Sequence, residues 1–463
     1  MNKIFITLVL LFSSLLSQSK GFEKIDKKTV AIYTQYCSSC HGEKIEAFVD
    51  RKWLHGNTKP EVIASITNGW ISGGMPSWKN TIATKDIDKL ASLIVKSLEN
   101  VEQYKFASKP KTNVFKSGKM TLKLDTVATG FESPWGLTQL PSGDFLITDR
   151  AGVLYKVDNN RNKTIIKNTP KVLAKGQGGL LDVEIHPDYA QNGWVYMTYS
   201  KFKEEEGSTW TTTALVRGKI ENDTFTNIEE LFEAKPYTKT THHYGSRIVF
   251  DGKGYVYFTV GERGKHFEYA QNTDNDLGKI HRLHDDGKIP TDNPYYGKLP
   301  DSQSLYAYGN RNPQGLIQNP ITKNIWEHEH GPRGGDEINI VKAGVNFGWP
   351  TISYGINYDG KPITNLSKKD GMEQPVFYYI PSIAPSGMAF VTGNKYPSWS
   401  GNLLIGSLRY NYLERCVIKD NKVVSNHKEL LNIGRMRNVK MGNDGYIYIG
   451  VENPGMVFRL VSE

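Results

Sequence analysis

The chain has 463 residues but only three cysteines, too few for a disulfide framework. It has no concentrated run of lysine or arginine. Its formal charge of +9 is spread along the chain, which argues against nucleic acid and leaves an anionic small molecule or a solvated basic surface. Long amphipathic helical patterns are scarce beyond about Glu99, where short aromatic strands and Gly/Asn/Asp turns take over. The length exceeds one ordinary core, and 38% hydrophobic residues make the chain globular. A small helical part followed by an all-β body is expected.

The N-terminus carries Lys3, an apolar run from Ile4 to Leu16, and small residues at Ser17 and Ser19. This is a signal-peptide pattern over 1–19, with cleavage expected after Ser19. The run is short for a membrane span, and no cysteine follows it to take a lipid. Export to a periplasm or the exterior is expected, with no stable membrane span after cleavage; an uncleaved anchor is the alternative.

Cys37-Ser-Ser-Cys40-His41 is the attachment pattern for haem c. Two thiols one helical turn apart add to the haem vinyl groups, and the adjacent histidine ligates the iron. No second cysteine pair exists to complete a zinc site. Met75, in GGMPSW, is the candidate sixth ligand. A lone methionine is more often a core filler, but the CxxCH pattern reverses that balance. His55 competes, without the Gly-Met-Pro context. PEVIASITNGW and TKDIDKLASLIVKSL around this loop have helical spacing, with Thr84 and Asp86 marking a helix start. The stretch from Asp26 to Leu98 resembles a small single-haem cytochrome c, which implies a covalent haem with His41 and Met75 as ligands. A cytochrome c domain over 20–99 and a polar, Lys-rich linker over 100–119 are expected.

From Met120 a strand–turn–strand unit recurs about six times: GDFLITDRAGVLYKV, GWVYMTYS with TTALVRGKI, GYVYFTVGERG with GKIHRL, NIWEHEHGP with GDEINIV, GNLLIGSLRYNYLERCVI, and GYIYIGVENPGMVFRL. This repeat predicts a six-bladed β-propeller over 120–463, each pair forming the inner part of a four-stranded blade. Cys416 falls in one such strand and reads as a buried, inert thiol. Loops at one end of a propeller converge on its axis. Those here carry Gln177, His243, Arg311, Asn312, the run Glu327 to Glu337, Arg409, Arg435 and Arg437. His243, before a Gly-Ser turn, is placed to exchange a proton near neutral pH. A single arginine is more often a surface ion pair, but several from different repeats predict a mouth for a polyanion. The carboxylates beside Gly331 and Pro332 suit a hard cation that takes oxygen ligands.

PWGL, GQGGLLDVEIHPDY, HHYGSRIVF, GKIHRL, YAYGNRNPQGL, EHGPRGGDEIN, NFGWP, APSGM and GRMRN together resemble the soluble glucose/sorbosone dehydrogenases that use pyrroloquinoline quinone (PQQ). The resemblance implies a catalytic base at His243 and a polar contact at Gln177. It implies that Arg311 and Asn312 hold the quinone and polarise its carbonyl, that Ser382 and Arg409 touch it, and that Arg435 and Arg437 bind its carboxylates. The carbonyls of Gly331 and Pro332 would ligate a calcium at the quinone; Glu337 and the backbone of Phe347 would hold a second. His242, His330 and Ile380 depart from the glucose-oxidising type, which has aspartate, glutamine and tryptophan there, and imply a more open site. The expected function is oxidation of an aldose to a lactone, with electrons passing through haem c to a respiratory acceptor. The alternatives are a glycan- or protein-binding propeller without quinone, and a PQQ dehydrogenase for another aldehyde or alcohol such as sorbosone.

Overall fold

A computed structural model describes residues 26–37, 41, 48, 53, 55–71, 75–104, 112–299 and 302–462. The chain divides into two compact units, 1–105 and 106–463.

The first unit is helical. Helix α1 (Lys27–Tyr36) starts at Asp26, whose carboxylate accepts the Lys28 N–H at 3.1 Å. Helix α2 (Lys59–Asn68) begins in a capping box between Thr58 and Glu61 and stops at Gly69, which has φ +70°. Helix α3 (Thr84–Tyr104) buries Ile87, Leu90, Ala91 and Ile94, the i, i+3, i+4, i+7 stripe of an amphipathic helix. That stripe meets Tyr33 of α1 and Val62 and Ile66 of α2 in one core. No helix among the described residues is long and apolar enough to cross a membrane.

The expected linker of 100–119 is shorter at both ends. Helix α3 runs on to Tyr104, and Val114–Ser117 is already a strand paired with Met120–Thr129. Its lysines and Pro110 mask this, because an edge strand needs no apolar alternation on its solvent side.

The second unit is a six-bladed β-propeller. Blade 1 is Pro134–Gln139, Phe145–Asp149, Val153–Val157 and Lys163–Ile166. Blade 2 is Leu180–Ile185, Val195–Glu205, Ser208–Glu221 and Thr224–Glu233. Blade 3 is Ile248–Phe250, Tyr255–Val260, Lys279–His284 and Leu305–Tyr308. Blade 4 is Pro313–Gln318, Ile325–Glu329, Asp336–Val341 and Phe377–Tyr379. Blade 5 is Pro385–Phe390, Leu403–Ser407, Leu413–Lys419 and Lys422–Glu429. Blade 6 runs Arg435–Met441, Ile447–Glu452, Met456–Ser462, Met120–Thr129 and Val114–Ser117, so strands from both ends of the unit close the ring. The strand pairings within each blade are antiparallel, and the first strand of each blade packs against the first strand of the next around the axis. The repeated pairs are therefore the two middle strands of each blade. The innermost strand precedes each pair. Cys416 is buried in blade 5.

Apolar side chains fill the seams between blades; one cluster joins Leu146 and Leu154 of blade 1 to Val183, Met197 and Phe225 of blade 2. The axis itself is polar. Arg247, at the head of blade 3's first strand, donates from Nε to the Gln314 carbonyl at 2.8 Å, and its Nη atoms donate to the carbonyls of Trp135 (3.3 Å) and Arg437 (2.9 Å) and to Ser386 Oγ (3.4 Å). It also pairs with Asp182 at 3.4 Å and lies 3.9 Å over the Trp135 ring. One buried guanidinium thus reaches the innermost strands of the other five blades.

Candidate active site

His243 sits in the loop leading into blade 3 with φ +52°, the left-handed region that costs a histidine about 1 kcal/mol. Side chains hold both of its ends. Its N–H donates to Gln177 Oε1 at 2.8 Å, and its carbonyl accepts from Arg263 Nη1 at 3.3 Å. The carbonyl lies against Gly261, where an added Cβ would come within 2.3 Å of it. Nδ1 faces both carboxylate oxygens of Glu262 at 3.0 Å, leaving Nε2 as the nitrogen for a reactant. Burial and the Arg311 charge push the imidazole pKa down, against the opposing pull of Glu262. Burial would raise the Glu262 carboxyl, but His243, Arg311 and the Gly264 N–H hold it below its ordinary value. The pair is a neutral base oriented by a carboxylate.

Arg311 and Asn312 start blade 4. Their N–H groups both donate to Glu329 Oε2, the second at 3.2 Å. Arg311 Nη1 donates to the carbonyls of His330 and Gly331, each at 3.0 Å, and its Nε has no partner. Asn312 Oδ1 accepts from the Gly245 N–H at 3.1 Å, which joins the residues ahead of blade 4 to the His243 loop.

Arg435 and Arg437 share one acid. Their Nε atoms donate to the two oxygens of Glu452 at 3.0 and 2.9 Å. Burial would raise this carboxyl, but Arg437, Ser133 and Arg435 hold it at about 2. The cluster of three carries a net positive charge. Arg409, exposed, donates to the Ser382 carbonyl at 3.2 Å. Ser382 Oγ donates to Asp336 at 3.0 Å, and the same carboxylate accepts the N–H groups of Gly331, Ile383 and Ala384.

Below this loop is a small cavity lined by Arg311, Glu329, Gly331, Glu337, Phe347 and Trp349. Asn339 Nδ2 donates to Glu327 at 2.8 Å and to Glu337 at 3.3 Å. Burial, and after it the neighbouring Glu329 charge, push Glu327 and Glu337 well above ordinary carboxyl values. Glu327 Oε2, Asn310 Oδ1 and Asn339 Oδ1 are buried without partners. Among the described residues no three His, Cys, Asp or Glu side chains already converge on a metal position. The orphaned oxygens nonetheless match the donor chemistry of a hard cation.

The sequence profile described as Glucose / Sorbosone dehydrogenase matches residues 131–459. The chain belongs to the glucose/sorbosone dehydrogenase family. A second profile, described as Cytochrome C oxidase, cbb3-type, subunit III, matches residues 26–94, so this glucose/sorbosone dehydrogenase carries a cytochrome c domain ahead of its propeller. An aldose sugar dehydrogenase of Escherichia coli is 38% identical over 336 residues, 71% of this chain and 90% of its own length. The apo-form structure of the soluble aldose sugar dehydrogenase from Escherichia coli superposes with a TM-score of 0.69 at 36% identity, covering 74% of this chain and 99% of that one. The PQQ-bound form of an aldose sugar dehydrogenase from Streptomyces coelicolor does so with a TM-score of 0.60 at 28% identity, over 75% and 99%.

In this glucose/sorbosone dehydrogenase the helical unit brings Cys37 and Met75 to the same core. The His41 N–H bonds to the Cys37 carbonyl at 2.9 Å, so the two lie one helical turn apart. Met75 is held by paired backbone bonds with Trp70. His55 is exposed and stacked 3.5 Å from the Trp70 ring. Cys40 lies outside the described residues. In the propeller, Gln177 is exposed at the rim. Pro332 is buried in the Gly-rich loop, and Phe347 is buried with its N–H on Tyr308 O at 2.8 Å. His242 is exposed, and His330 Nε2 lies 2.7 Å from the Pro385 carbonyl. Ile380 is buried against Gly334.

Sequence reasoning missed Glu262 and Glu452, the acids behind His243 and the blade 6 arginines; Glu329 and Asp336 lay inside the run Glu327 to Glu337 that it singled out, without their contacts to the Arg311 loop and Ser382. Glu262 lies within the same GERG stretch as the strand after His243, and alternation there gave no sign that it turns inward.

Proposed function

We propose that this protein is an exported quinohaemoprotein that oxidises aldose sugars to lactones with PQQ and calcium, and passes electrons through its own haem c to a respiratory acceptor. The observation that carries this reading is the His243–Glu262 pair in the same propeller as the arginines of blades 4 and 6. His243 Nε2 takes the proton of the anomeric hydroxyl, while Glu262 steadies the imidazolium that results. A bound quinone supplies the acceptor for the hydride that leaves the anomeric carbon. Arg435 and Arg437 bind its carboxylates, and Arg311 with Asn312 orients its ring. The carbonyls of Gly331 and Pro332 would hold a calcium that polarises the quinone as a Lewis acid; Glu337 and the backbone of Phe347 would hold a second. Ser382 and Arg409 complete the wall. His41 and Met75 ligate the haem iron, with Cys37 and Cys40 as its covalent anchors; the haem is a one-electron outlet. The signal-peptide pattern supports export.

The test uses haem-loaded protein reconstituted with calcium and PQQ. Aldose-dependent haem reduction that requires added quinone is expected. His243→Ala should abolish turnover while quinone still binds; a variant that keeps turning over removes His243 as the base. Reduction of an external dye but not of the haem would remove the internal relay. Failure of the quinone to bind would overturn the dehydrogenase reading in favour of a binding propeller.

A further inference from the structure

Arg263 follows Glu262 in the chain and is fully buried. Its acceptors are Thr238 Oγ1 at 3.3 Å, the His243 carbonyl at 3.3 Å and the Thr240 carbonyl at 2.7 Å. None is a carboxylate. The guanidinium plane lies 3.6 Å over the Tyr244 ring. A buried cation without an acid partner is costly, and here the ring face and carbonyl dipoles offset that cost. All three acceptors belong to the single loop that delivers His243, and the ring belongs to its next residue. Tyr244 is fixed in turn: its OH meets Thr211 Oγ1 at 2.9 Å, and its carbonyl accepts from Thr213 Oγ1 at 2.7 Å, both in blade 2.

We infer that Arg263 is a positioning residue for His243, holding the left-handed turn that aims the imidazole into the mouth from the carbonyl side while Gln177 holds the N–H side. The inference rests on the reading of His243 as the base. The charged groups facing the imidazole are Glu262 at Nδ1, Arg311 and Arg263; the two arginines favour the neutral ring and Glu262 opposes them. Arg263 therefore has an electrostatic signature besides a geometric one.

The test compares Arg263→Lys and Arg263→Gln in the full-length holoprotein, with a dye as acceptor. Both should lose about tenfold or more in kcat, because a misplaced base costs rate out of proportion to binding. PQQ affinity, read by titrating the apoprotein, should be unchanged. In Arg263→Gln the acid limb of kcat/KM should move to higher pH, since one cation that disfavours the imidazolium is gone. In Arg263→Lys it should stay near the wild-type position. Wild-type kcat with an unshifted limb in Arg263→Gln overturns the proposal, as does a loss of PQQ affinity that matches the loss of kcat. If Arg263→Gln fails to fold, Arg263→Lys decides: kcat within about twofold of wild type overturns it. His243→Ala separates the two readings. Turnover retained there removes the base itself, whereas turnover lost there with Arg263 variants unaffected removes only the role of Arg263.

Discussion

Both carboxylate oxygens of Glu262 lie 3.0 Å from Nδ1 of His243. That contact fixes the ring's tautomer with the proton on Nδ1 and Nε2 open. Glu262→Gln should lower kcat on the order of 10²- to 10⁴-fold, by analogy with other carboxylate-oriented histidines. It should also move the acid limb of the rate profile to lower pH, because Glu262 is the group that raises the imidazole pKa. The shift is opposite in sign to that expected for Arg263→Gln. A pH–rate series on the two variants checks both, and shifts in the same direction would contradict the electrostatic account.

Arg435 and Arg437 share Glu452, so removing either arginine leaves one guanidinium paired with one acid and no surplus charge. Arg437→Gln should weaken PQQ binding by about 10- to 100-fold, the scale of one charge-assisted carboxylate contact. Equilibrium titration of the apoprotein measures this. Unchanged affinity would place the quinone carboxylates elsewhere.

The buried carboxyls of Glu327 and Glu337 are pushed up by burial and by the nearby Glu329, so a cation that settles among them displaces protons. Calcium should therefore raise the melting temperature of the apoprotein more at pH 8 than at pH 5.5, and a chelator should reverse the gain. At a calcium concentration about 100 times Kd the stabilisation is about 2.7 kcal/mol. Glu337→Gln should blunt it. A melting curve indifferent to calcium and chelator at both pH values would remove the cation from this cavity.

Replacing Arg247 strips partners from five blades at once and leaves Asp182 buried without its cation. Arg247→Leu should cost about 3–5 kcal/mol of propeller stability. Chemical denaturation followed by tryptophan fluorescence, with the haem band as an internal reference for the helical unit, reads the loss. A change under about 1 kcal/mol would mean the inner strands hold together without this contact.

The sequence revealed what repeats or carries a recognised pattern. The middle strands of each blade are aromatic and bounded by Gly turns, so GYVYFTV and GYIYIGV could be counted; six copies fixed the blade number. Helix α3 was legible because Ile87, Leu90, Ala91 and Ile94 keep one period over several turns. The edge strand Val114–Ser117 was not, because its Lys116 and neighbouring lysines look like linker when only one face touches protein. The mouth's arginines were legible as types, but their acids were not. Glu452 reaches Arg437 across a strand pair, and Glu262 reaches His243 from beyond the first two strands of blade 3, 19 positions along the chain, distances that no local pattern records. Ile380, expected to leave the site more open, is buried against Gly334 of the Gly331–Gly335 loop. A substitution at a position says which ring is missing; where the replacement points depends on the backbone around it.

The guanidinium of Arg247 stands across the propeller's axis and bonds to the first strands of the other five blades, so a single side chain clasps the ring from within.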